Sequence, residues 1–113
     1  MPDCLFCKIV SKELDADVVH ESSEVLAFKD INPGAPTHIL VIPKRHIASA
    51  QELGRDDSDL LGEIFETISA LAASSDVDRG YRIVTNVGGD AGQTVHHLHF
   101  HLLGGRSLSW PPG

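Results

Sequence analysis

The chain has 113 residues, 42% of them hydrophobic and 22% charged, with a formal net charge of −7. That is the balance of one globular domain, long enough to bury roughly 65% of the surface its unfolded form exposes. An acidic chain without a basic patch argues against a nucleic-acid backbone as partner, and no apolar run approaches the ~18 residues needed to span a bilayer.

The polar start Met1-Pro2-Asp3 does not read as a signal peptide, so the cytosol is the expected location. Residues 4–12 read as a short helix or turn with Leu5, Phe6, Ile9 and Val10 to bury. Within them Cys4 and Cys7 form a Cys-x-x-Cys, which in a cytosolic chain points to metal binding or redox exchange more than to a structural disulfide. Residues 18–20 and 25–28 flank a polar turn and read as the two strands of a hairpin. Pro33, Gly34 and Pro36 make residues 30–36 a loop. Residues 37–42 are a strongly apolar strand, stopped by Pro43, and a short turn or helix follows His46 as far as Leu53.

Asp56, Asp57 and Asp59 sit where acidic groups favour a helix start. Beyond them Leu60, Leu61, Ile64, Phe65, Ile68, Leu71 and Ala72 recur at three-to-four-residue spacing, predicting one long amphipathic helix over about 57–73. Residues 81–87 read as the fourth strand, and 88–93 as a glycine-rich loop. Short links and a single long helix favour an α+β arrangement, an antiparallel sheet with helices on one face.

Four of the seven histidines fall in His96-His97-Leu98-His99-Phe100-His101-Leu102-Leu103. The period of two puts His97, His99 and His101 on one face of a strand and Leu98, Phe100 and Leu102 on the other. Residues two apart along a strand are ~6.7 Å apart and residues four apart ~13 Å. Two neighbours of the row can therefore reach one zinc, but all three cannot unless the strand bends. The row divides more naturally between two jobs.

The run from His97 to Leu103 resembles the signature of the histidine-triad (HIT) nucleotide-hydrolase superfamily, three histidines alternating with apolar residues. Phe28-x-Asp30-Ile31, Pro36-Thr37-His38, Ile42-Pro43-Lys44-x-His46, Asn86 and Gly92-Gln93-Thr94-Val95 follow in the order of that family. The tail Gly104-Gly105-Arg106 to Trp110-Pro111-Pro112-Gly113 is similar to the Hint branch, in its zinc-binding microbial type, and His101 stands where the uridylyl-transferring branch has glutamine. The resemblance covers nearly the whole chain. It implies a single domain over 1–113: a five-stranded antiparallel sheet with one long and one short N-terminal helix, paired as a homodimer.

The resemblance also implies a reaction: breakage of a bond at the α-phosphorus of a purine nucleotide conjugate, with AMP released from a nucleotidyl-histidine. His99 is the implied nucleophile. An imidazole of reference pKa ~6.5 is mostly neutral at pH 7 and offers one nitrogen lone pair without a separate base. Its covalent adduct divides one hard step into two. By the same resemblance His101 donates to a phosphate oxygen, and His38 packs beside the nucleophile. Asp30 holds the ribose hydroxyls, Phe28 and Ile31 line the base pocket, and Asn86, Gly92 and Gln93 lie on the phosphate side. Thr94 contacts the leaving group, where many relatives carry serine.

Cys4, Cys7, His46 and His97 resemble the zinc set of microbial members, and the spacing agrees, since two thiolates leave a tetrahedral structural zinc wanting two more ligands. On that reading residues 1–12 are the zinc-binding segment and no metal is required for the chemistry. A redox pair and two incidental thiols are the rivals. Trp110, in the tail 104–113, would reach the partner's substrate pocket. The competing functions are a dinucleoside polyphosphate hydrolase of the Fhit type and a nucleotide-binding regulator without catalysis. A lysine leaving group of pKa ~10.4 needs its nitrogen protonated as it departs, which a site of several histidines and a hydroxyl suits.

Overall fold

The computed structural model describes residues 3–113. Five strands form one sheet: β1 (Val18–Glu21), β2 (Val25–Lys29), β3 (Thr37–Pro43), β4 (Tyr81–Val84) and β5 (Phe100–Gly104). All pairings are antiparallel and the order is β1-β2-β3-β5-β4. Two helices pack on it, α1 (Leu5–Val10) and α2 (Ser58–Ser74).

The apolar runs of β2 and β3 explain their central place. Val25 to Phe28 and Ile39 to Ile42 are buried on both faces of the pleat, which only a sheet covered on both sides allows. On one face Val25, Ala27, Ile39 and Val41 meet Leu60, Ile64, Ile68 and Ala72 of α2. On the other, Leu26, Phe28, Leu40 and Ile42 meet Phe6 and Ile9 of α1. This corrects the expectation of helices on one face. The i, i+3 pair Phe6 and Ile9 makes α1 amphipathic, and the free apolar partners lie on the histidine side.

The histidine segment enters the ladder late. Register with β3 begins at Phe100, opposite Val41, so His97 and His99 precede the strand that the alternation predicts. The alternation survives as burial: Leu98, Phe100 and Leu102 join the α2 core while the histidines turn to the α1 side. Residues 85–87, read as strand, leave the ladder for the same reason, since β5 offers them no partner; the Thr85 hydroxyl donates instead to the His99 carbonyl at 2.8 Å. Gly104 ends β5 where no side chain fits. A Cβ there would lie 2.6 Å from Val77 Cγ1.

Candidate active site and metal centre

His99 is 7% exposed, and its Nδ1 lies 2.7 Å from the His97 carbonyl oxygen. A carbonyl only accepts, so the proton sits on Nδ1 and Nε2 keeps its lone pair. Phe6 stands edge-on to the ring with centroids 5.1 Å apart, and His101 is 5.0 Å away.

His38 faces His101 rather than the nucleophile. In the antiparallel register Leu40 opposes His101, which makes His38 its diagonal neighbour on the same face. The Gly34 N–H donates to His38 Nδ1 at 2.9 Å, so the His38 proton is on Nε2. That Nε2–H donates to His101 Nδ1, also at 2.9 Å, which leaves the His101 proton on Nε2. His101 Nε2 is buried and has no partner among the described residues. It is an N–H donor waiting for an acceptor, a state that costs about 1–3 kcal/mol until one arrives.

Burial holds both rings neutral. It pushes the His101 pKa down to about 4, helped by the neighbouring His99 and His38 and opposed by Asp30. It lowers His38 too, against the pull of Asp30, whose Oδ2 is 3.5 Å from His38 Nε2. Donor atoms of Asp30, His38 and His101 all lie within 4.8 Å of one another; their mutual contacts account for that.

Beside this group, one ligand atom from each of Cys4, Cys7, His46 and His97 lies within 4.8 Å of the others. His97 Nδ1 is 3.3 Å from Cys4 Sγ and 3.5 Å from Cys7 Sγ, and His46 Nδ1 is 3.3 Å from Cys7 Sγ. Bond lengths of ~2.3 Å to sulfur and ~2.0–2.1 Å to nitrogen put S and N about 3.6 Å apart across a tetrahedral ion. The donor set fits zinc in both chemistry and spacing. His97 Nε2 donates to the Pro43 carbonyl at 2.8 Å, which aims the Nδ1 lone pair at the thiols, the usual support for a metal-bound imidazole. Without a cation, burial and the hydrogen bond that the Cys7 thiol donates to Cys4 raise the Cys7 pKa.

The remaining candidates divide. Phe28 is buried under Phe6, rings 5.4 Å apart, so it backs the site through that contact. Ile31, 91% exposed, stands free beside Asp30. The Gln93 amide is committed to the loop, its Oε1 accepting from Gly88 N and its Nε2 donating to the Ala48 and Val95 carbonyls. Its main-chain N–H is committed as well, donating to the Gly88 carbonyl at 3.1 Å, so Gln93 shapes the loop rather than offering a donor. Gly92 takes a φ of 91°, which a side chain would resist. Thr94 is exposed, Asn86 is half-buried, and Trp110 is 82% exposed on the tail. Sequence reasoning missed Phe6, Thr85 and the Ile47 carbonyl. A phenylalanine between two cysteines was the one signal available; a main-chain carbonyl gives none.

A buried histidine with a free Nε2, a second with an orphaned N–H, and a Cys/His cluster define a histidine-based centre next to a metal-type site on an α+β sheet. Residues 3–109 match the family model described as the scavenger mRNA decapping enzyme C-terminal binding family. A HIT-like protein of Synechococcus elongatus is 52% identical over 111 residues, covering 98% of this chain and 97% of that one. The 14 kDa zinc-binding protein of Zea mays is 45% identical, covering 96% and 87%. The crystal structure of a HIT family hydrolase from Legionella pneumophila superposes with a TM-score of 0.96 at 51% identity, over 98% of this chain and all of that one. The chain belongs to the histidine-triad family.

Proposed function

We propose that this protein is a purine nucleoside phosphoramidase and nucleotide hydrolase that releases a nucleoside 5′-monophosphate through a covalent intermediate on His99. The observation that carries the reading is the tautomer pattern: Nδ1–H of His99 held by the His97 carbonyl, and Nε2–H of His101 buried without an acceptor. One ring is a nucleophile and the other a donor, which is what displacement at phosphorus needs. The Legionella relative is named a hydrolase, which agrees.

In this mechanism His99 Nε2 attacks the α-phosphorus and forms a P–N bond as the bond to the leaving group breaks. The ring becomes positively charged, and the His97 carbonyl stabilises it at Nδ1. His101 Nε2–H donates to a non-bridging phosphate oxygen. The Thr94 hydroxyl relays a proton from solvent to a departing amine, and the water that attacks in the second step returns one to solvent. Water then attacks the phosphorus, His99 leaves with its lone pair restored, and the monophosphate is freed. Asp30 binds the ribose hydroxyls, Ile31 covers the base with Phe28 backing the pocket through Phe6, and Asn86 and the Gly92-Gln93 turn border the phosphate.

Cys4, Cys7, His46 and His97 would hold a structural zinc; a thiolate-imidazole set closed at four ligands supplies rigidity rather than an open coordination site. The name of the maize relative agrees with a bound zinc. The protein works as a homodimer through the free edge of β4, where Tyr81 and Ile83 are exposed, with Val87 exposed just beyond the strand. No described helix is long and apolar enough to cross a membrane, and the two free thiols suit the cytosol.

Mixing with an adenosine phosphoramidate and quenching early should add the mass of AMP to His99, and His99→Ala should abolish both adduct and turnover. Normal turnover by His99→Ala would sink the mechanism. Faster release of AMP from diadenosine polyphosphates than from the phosphoramidate would move the assignment to the polyphosphate class. Binding of AMP without any turnover would make the protein a regulator.

A further inference from the structure

The Cys/His cluster and the nucleophile meet at one peptide bond. The unit joining His97 to Leu98 is planar and nearly rigid. Its N–H donates to the Ile47 carbonyl at 2.6 Å, and its carbonyl accepts the His99 Nδ1–H at 2.7 Å. Each end of that clamp adjoins a cluster residue. Ile47 directly follows His46, and the carbonyl belongs to His97 itself, whose ring is fully buried between Pro43 and the two thiols. A second route runs through α1. Phe6, between the two cysteines, stands edge-on to His97 at 6.0 Å and to His99 at 5.1 Å.

From this geometry we infer that the metal centre is a positioning device for the nucleophile: by fixing the 97–98 peptide plane and Phe6, it sets the tautomer and the aim of His99. The inference rests on the metal and nucleophile roles proposed above. Its physical basis is that burial of Phe6 and Ile9 holds α1 to the sheet without fixing the angle of its rings, since apolar contact is non-directional. α1 has six residues, too few to persist as an isolated helix. Its cysteines reach His46 and His97 only through long sulfur contacts when no cation joins them. A cation makes α1, residues 46–47 and residues 97–98 one rigid unit around His99. His97 and Phe6 are then positioning residues. By linkage the coupling runs both ways, so what happens at His99 must be felt at the ligands.

Cobalt(II) in place of zinc gives the test, because visible bands report the geometry of a tetrahedral thiolate site. In the cobalt-loaded protein the bands should shift when AMP is added and again in His99→Ala. In the zinc-loaded protein, Phe6→Leu should keep one metal per chain yet lose about 10- to 100-fold in kcat, with KM nearly unchanged. In metal-free protein that stays folded, 15N spectra should show His99 as a mixture of tautomers instead of Nδ1–H alone. Cobalt bands indifferent to both AMP and His99→Ala, with full kcat in Phe6→Leu, would overturn the inference. Absence of any thiolate-to-cobalt band would be a different failure, that of the metal assignment itself. If metal-free protein unfolds, the two arms on loaded protein still decide.

Discussion

One proton, placed by His38, decides what His101 is able to do. His38 Nδ1 accepts from Gly34, so its Nε2–H must go to His101 Nδ1, and the His101 proton is left on the buried Nε2. Remove the His38 ring and His101 is free to carry its proton on Nδ1, aimed away from a ligand. His38→Ala should therefore lower kcat about 10- to 100-fold, less than the ~10²–10⁴-fold of a lost proton donor because the His101 ring itself remains, with a smaller effect on KM. His38→Gln should recover part of that loss, because its amide N–H is able to donate to the same nitrogen. Steady-state kinetics on the phosphoramidate check both. A His38→Gln no better than His38→Ala would mean that the ring contributes bulk alone. Thr85 adds a second restraint at this scale, donating to the His99 carbonyl two peptides beyond the clamp.

At the scale of elements, α2 was legible because its apolar residues repeat at helical spacing over four turns, and the observed Ser58–Ser74 lies within a residue of the expected span. The histidine row was legible as a motif but not as a strand. Alternation reports which way side chains point, whereas ladder hydrogen bonds depend on what lies alongside. The Leu98 N–H goes to Ile47 rather than to a neighbouring strand, and no periodicity records that. The face chosen by α1 was hidden likewise: Phe6 and Ile9 say that the helix is amphipathic, but only the sheet says where free apolar partners remain. The four metal-type donors were legible as a set only through the family resemblance, since the Cys-x-x-Cys names two thiols and seven histidines leave the other two ligands open. Gly104 shows how tightly the ends of elements are fitted. Its added Cβ would meet Val77 and Tyr81 at 2.6 Å and 3.3 Å, and Val77 is itself buried. Gly104→Ala should destabilise the fold by about 1–3 kcal/mol in urea unfolding, the usual cost of overpacking. Unchanged stability would mean that the β5 end shifts freely.

At the scale of the whole molecule, the free β4 edge and the histidine cluster set assembly and pH response. If the edge pairs with a second copy, Ile83→Lys should give a monomer by sedimentation while the far-UV spectrum stays native; a persistent dimer would place the interface elsewhere. The pH response follows from buried neutral imidazoles. His101 titrates near 4 in the folded chain and near 6.5 when unfolded, and burial lowers His38 and His97 in the same direction. Between those values the unfolded chain binds more protons, so stability rises with pH there. It is fully present above about pH 6.5 and is lost as the pH falls through 4. For His101 alone the loss is at most about 3 kcal/mol, and smaller where solvent screens the partly exposed ring. Glu21 adds little in that window: Lys12 and Lys44 hold its carboxyl at about 2, so most of its share is lost below pH 4. Metal release in acid also destabilises, because ligand thiolates take up protons. The two effects separate in His101→Gln, which keeps all four metal ligands. Urea midpoints measured from pH 7.5 to 4 should fall less steeply in that variant than in the natural protein. Equal slopes would assign the acid sensitivity to the metal centre and the remaining buried imidazoles and remove His101 from the account.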